Sequence, residues 1–161
     1  IWKMAPKTRT VATNTPIVSF TFDDVPDTAL TNGAAILEKY GAKGTLYIAG
    51  GLDGQTEPDR KMLDRQGSLD LFRRGHEIGC HTFAHQPVRK FGDGLAADLD
   101  KSARYFREAG IARPATNSAW PHNAAWPPAR KELSLQCAGC ARYLCHGPLS
   151  RHRNAQGRSP V

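Results

Sequence analysis

The sequence has no apolar stretch of membrane length. Its longest apolar runs, residues 17–22 and 46–49, fall far short of the about 20 residues that a spanning helix needs, which excludes a helical membrane span. A secretory leader pattern is absent too, but the first residue is Ile1 rather than Met, so an upstream segment and the compartment stay open. Cysteine is scarce: Cys80 stands alone in the first 136 residues, and Cys137, Cys140 and Cys145 cluster beyond it. The body therefore has no disulfide framework. Acidic residues are missing from the end of the chain. All 15 lie within residues 1–132 against 18 basic ones, whereas residues 133–161 hold Arg142, Arg151, Arg153 and Arg158. More than half of the +7 net charge thus belongs to a short terminal stretch, which is a much weaker statement about the body than the uniformly basic face that would argue for nucleic acid. No internal repeat or low-complexity tract is present.

What remains is an ordinary globular composition: 161 residues, 40% hydrophobic and 23% charged, enough for one packed domain. Residues 17–22 (Ile-Val-Ser-Phe-Thr-Phe) are β-branched and aromatic with an approximate period of two and predict a buried strand. Ile36, Leu37 and Tyr40 have helical spacing, and Gly41 is a left-handed stop, so residues 28–40 predict a helix. Residues 44–49 predict a second strand. Ser68 is a candidate cap for a short helix ending at Gly75, and residues 76–81 predict a third strand. Leu95, Leu99, Ala103 and Phe106 mark one face of an amphipathic helix stopped by Gly110. A short fourth strand is expected near residues 118–120, and Pro127-Pro128 suits a helix start before residues 129–135. Strand alternating with helix implies an α/β fold with parallel strands, whose functional groups gather at the carboxyl ends of the strands.

Two clusters stand at such ends. Asp23-Asp24 closes the first strand, and like charges held close disfavour each other's ionisation unless a cation intervenes. His81 and His85 follow the third strand, at a spacing that puts two imidazoles on one face of a helical turn and suits a divalent metal. Taken singly, an Asp-Asp pair is most often a helix cap beside a solvated acid, and a His-xxx-His pair two surface histidines. Together, after strands of one sheet, they make an open facial site, with a second carboxylate placed to accept a proton from water.

The combination resembles the NodB-like polysaccharide deacetylases, carbohydrate esterase family four. The resemblance is carried by Ser19-Phe20-Thr21-Phe22-Asp23-Asp24-Val25-Pro26 and by Gly75-His76-Glu77-Ile78-Gly79-Cys80-His81-Thr82-Phe83-Ala84-His85. It implies a distorted (β/α) barrel over residues 15–135, after an N-terminal extension of residues 1–14. It also implies hydrolysis of N-acetyl groups on N-acetylglucosamine-containing glycans of chitooligosaccharide, nodulation or peptidoglycan type. Asp23 would be the general base, and Asp24, His81 and His85 would hold a divalent metal, zinc foremost, with cobalt, manganese or nickel as other options. The family commonly has glycine where this chain has Val25. Its third motif is best matched by Ala119-Trp120-Pro121-His122-Asn123, with Trp120 and Pro121 toward the substrate and the His122 backbone toward the oxyanion. Arg113-Pro114 is the weaker match for the family's aspartate-pairing arginine.

The family's final motif, Leu-x-His, carries its general acid. Leu144-Cys145-His146 spells it about 25 residues after Pro121, too soon for the intervening strands, so the general acid is left unassigned. Cys137, Cys140, Cys145, His146 and His152 have the look of a zinc knuckle. The stretch 136–161, basic and without acids, reads instead as a shifted frame or gene remnant and is expected to be disordered. The barrel is therefore expected to lack its closing units and to expose an edge that promotes self-association. A catalytically impaired relative that keeps only the metal is the second reading. The expected partner is an N-acetylated glycan, with no nucleic acid.

Overall fold

The computed structural model describes residues 14–112, 117–123 and 144–145. Five parallel strands lie side by side in chain order: β1 (Thr21–Phe22), β2 (Thr45–Ile48), β3 (Glu77–Cys80), β4 (Asn117–Ser118) and β5 (Leu144–Cys145). β2 is buried along its whole length, as a central parallel strand covered on both faces should be. Its register sets Thr45 beside Thr21 and Glu77, and Ile48 beside Cys80. All strands run the same way, so Asp23, Ala49, His81 and Ala119 emerge at one end of the sheet. This is the mixed α/β architecture of an incomplete barrel.

The described residues form three α-helices on the sheet: α1 (Ala35–Lys39), α2 (Arg65–Arg73) and α3 (Leu95–Glu108). α1 is preceded by a π-wound segment, Ala29–Ala34, so the predicted helix over residues 28–40 exists but is α-helical only in its second half, Ala35–Lys39. α3 buries Leu95, Leu99 and Phe106 against Ile48, Leu71, Ile78 and Ile111 in one core. The expected glycine stops hold, with Gly41, Gly75 and Gly110 all at positive φ.

Two local expectations need correction. The cap of α2 is Asp64, whose side chain accepts from the Gly67 N–H at 2.8 Å. Ser68 lies inside the helix, its hydroxyl turned back to the Asp64 carbonyl at 3.1 Å. The first strand is also shorter than its pattern. Only Thr21 and Phe22 are paired as strand, although the Phe20 carbonyl still accepts from the Thr45 N–H at 2.9 Å. Ile17, Val18 and Phe20 are 68%, 74% and 47% exposed, because β2 begins only at Thr45 and no described element covers their outer side.

Of residues 136–161, Leu144–Cys145 is described, as a strand on β4. His146, Cys137, Cys140, His152, Arg113-Pro114 and the helix expected at residues 129–135 lie outside the described residues. No described helix is long and apolar enough to cross a membrane.

Candidate active site

Asp23, Asp24, His81, His85, Trp120 and His122, together with Arg60, line a cleft of about 270 Å³ at the carboxyl end of the sheet. Every sequence-predicted site residue except Pro121 lines it; Pro121 is buried beneath. The Asp24 Oδ1 atom lies 2.6 Å from His85 Nε2 and 3.2 Å from His81 Nε2. His81 leaves β3 with its backbone N–H on the Ile48 carbonyl at 3.0 Å, which extends the sheet ladder and fixes where its ring begins. The ring's Nδ1–H donates to the Ala119 carbonyl at 2.9 Å. That bond sets the tautomer, because a carbonyl only accepts, and it leaves the Nε2 lone pair facing Asp24. Burial pushes the His81 imidazolium below its ordinary range, against the pull of the Ala119 carbonyl, Asp23 and Asp24.

The two imidazoles do not meet by way of a helical turn, as their spacing suggested. Residues 81–87 are irregular, with Thr82 at φ 62° and His85 at φ 50°. Their backbone groups have non-helical partners: Phe83 accepts from Gly51 N–H at 2.8 Å, and the Phe83 and Ala84 N–H groups donate to Asp98. Gly51 is required at its place, because a Cβ there would stand 2.6 Å from the Phe83 carbonyl oxygen.

The non-glycine residues with positive φ among the described residues are Asp24, Val25, Thr82, His85 and His122. All five sit at or beside the cleft. Asp tolerates this conformation, but for β-branched Val25 and Thr82 it is a true outlier. Strain gathered at one place, rather than scattered through the turns, marks a site that the surrounding fold over-determines.

The donor set fits a metal ion. One ligand atom each from Asp24, His81 and His85 falls within 4.8 Å of the others, and zinc bonds of about 2.0–2.2 Å at tetrahedral angles space such atoms roughly 3.4 Å apart. The lone pair of His81 Nε2 faces a carboxylate oxygen, an acceptor against an acceptor, which a cation between them resolves.

The profile of the family described as polysaccharide deacetylase matches residues 10–134. The chain belongs to the polysaccharide deacetylase family. It is 30% identical over 81 residues to the peptidoglycan-N-acetylmuramic acid deacetylase PdaC of Bacillus subtilis (strain 168), a match covering 50% of this chain and 16% of PdaC. Among solved structures, IcaB from Ammonifex degensii superposes with a TM-score of 0.66 at 18% identity, covering 79% of this chain and 57% of IcaB. The Streptococcus pyogenes deacetylase PplD, in complex with acetate, superposes with a TM-score of 0.64 at 19% identity, covering 75% and 52%. These likenesses establish the deacetylase fold, and the chain spans little more than half the length of those structures.

Two contributors escaped the sequence reading. Arg60 reaches the cleft from the loop before α2, its Nη1 atom 3.9 Å from Asp24 Oδ2 and its Nε–H on Glu57 at 2.6 Å; nothing in Glu57-Pro58-Asp59-Arg60 announces it. Asp98 did leave a signal. It stands three residues after Leu95 and one before Leu99, a carboxylate on the buried stripe of α3.

Proposed function

We propose that this chain is the metal-binding portion of a hydrolase that removes N-acetyl groups from N-acetylglucosamine-containing glycans of chitooligosaccharide or peptidoglycan type. The observation that carries the reading is the convergence of Asp24, His81 and His85 within one cleft that Asp23 also lines. Asp24, His81 and His85 would hold a divalent cation, with zinc the best match to two imidazoles and a carboxylate and cobalt, manganese or nickel also compatible. Such a cation, when bound, lowers the pKa of water and polarises an acetyl carbonyl.

The chain's own residues supply the rest. Asp23 is exposed in the same cleft and is the base that accepts the proton of the attacking water. The His81–Ala119 bond keeps one imidazole nitrogen bare toward the cation. The His122 backbone, turned to φ 59°, is the candidate N–H contact for charge that develops on the acetyl oxygen. Trp120 offers an apolar wall to the sugar, resting on the core at its back. PdaC, by name a peptidoglycan-N-acetylmuramic acid deacetylase, supports a glycan of peptidoglycan type, and its named sugar is N-acetylmuramic acid.

The test is acetate release from chitin oligomers and from peptidoglycan fragments by the zinc-loaded full chain. Asp23→Asn is expected to lower the rate about 10²–10⁴-fold while zinc content is unchanged. Zinc uptake without acetate release from either substrate counts against the enzyme and in favour of an impaired relative.

A further inference from the structure

Residues 82–85 decide whether the two imidazoles can face Asp24, since the loop starts one residue after His81 and ends at His85. Local sequence does not hold it in shape. Thr82 and His85 both have positive φ, a conformation that L-residues leave when nothing restrains them. The restraint comes from α3. Asp98 is 6% exposed, and its carboxylate accepts two consecutive loop amides, Phe83 N–H on Oδ2 at 2.7 Å and Ala84 N–H on Oδ1 at 3.0 Å. From the other side the Gly51 N–H donates to the Phe83 carbonyl at 2.8 Å. Phe83 is thus tied through both its N–H and its C=O, to a helix and to the loop after β2.

We propose that Asp98 is a positioning residue for the metal ligands: its two-amide clamp holds the 82–85 loop in the strained form that presents His81 and His85 to Asp24 together. The role rests on the metal-site reading above. A simpler role is open to an acid in the first turn of a helix, namely stabilising α3 through the helix dipole. That role does not call for a bidentate grip on another segment, nor for burial of the carboxylate. The two roles also differ in consequence. A helix acid changes stability alone, whereas the clamp changes how well the ligand set is assembled.

The experiment uses the full chain and zinc itself, titrated in competition with a chromophoric chelator, on wild type, Asp98→Asn and Leu99→Ala. Asparagine is isosteric but sets an NH₂ group against one of the two loop amides. Leu99→Ala opens a cavity next door, at a residue 1% exposed, without touching the clamp. The expected result is a loss of zinc affinity of about 10- to 100-fold in Asp98→Asn, the range seen when a supporting shell is removed. Leu99→Ala is expected to be less stable yet to bind zinc within about threefold of wild type, since a core cavity acts on stability. Folded Asp98→Asn that binds zinc like wild type overturns the proposal. Amide hydrogen exchange on the metal-free wild type gives an independent reading if the variant does not fold. Phe83 and Ala84 are expected to be protected, and exchange at the rate of open loops overturns the clamp. A wild-type chain that takes up no zinc overturns the metal-site reading, and this role with it.

Discussion

Val25 gives the sharpest test of how strain and packing are balanced at the site. It sits at φ 44°, a conformation that β-branched residues rarely adopt, yet its side chain is 2% exposed and part of the core. Val25→Gly relieves strain of about 1–3 kcal/mol. The same change forfeits about 1.5–3 kcal/mol of side-chain burial and adds about 0.5–1 kcal/mol of backbone entropy to the unfolded chain. At the centre of these ranges the losses win by about 1 kcal/mol, which for a domain of this size lowers Tm by about 2–4 °C. Urea and thermal unfolding of both proteins, measured without metal, read this difference. A Val25→Gly chain as stable as wild type, or more so, refutes the reasoning and shows that the strain outweighs the packing.

Other expectations concern the scaffold. The Arg74 guanidinium holds the Glu38 carboxyl at about 2, below its ordinary 4.5, through contacts of 2.7 and 3.1 Å. A lowered folded value means that ionised Glu38 adds stability above pH 4.5, lost as pH falls toward 2. Glu38→Gln should therefore have a flatter Tm profile over that interval, and parallel profiles would argue against the network. The exposed apolar edge at Ile17 and Val18 should make the chain associate with rising concentration. Val18→Lys should suppress this in light scattering, and a wild type that stays monomeric at all concentrations would contradict it.

The site was legible where residue chemistry and strand ends coincide. Asp23-Asp24 follows a strand with an approximate period of two and His81/His85 an irregular one, Glu77-Ile78-Gly79-Cys80, and the parallel order of strands brings the two clusters together. The route by which the imidazoles meet was not legible, because a His-xxx-His spacing encodes a helical turn whereas here the backbone partners, Asp98 and Gly51, are supplied from elsewhere in the fold. The length of β1 failed for a related reason. Ile17 and Val18 have strand chemistry, but a strand exists only where a neighbour pairs with it, and β2 starts at Thr45. Likewise Ser68 is a good capping residue, but Asp64, one turn earlier with extended backbone angles, reaches the free amides first.

The central claim is that Asp24, His81 and His85 form one metal centre, and zinc binding by the purified chain tests it most directly. Wild type, stripped and then reloaded, is expected to hold about one equivalent of zinc, while His81→Ala and Asp24→Asn, each removing one of three ligands, are expected to lose affinity by about 100-fold or more. Wild-type zinc content no greater than that of the two variants would contradict the account.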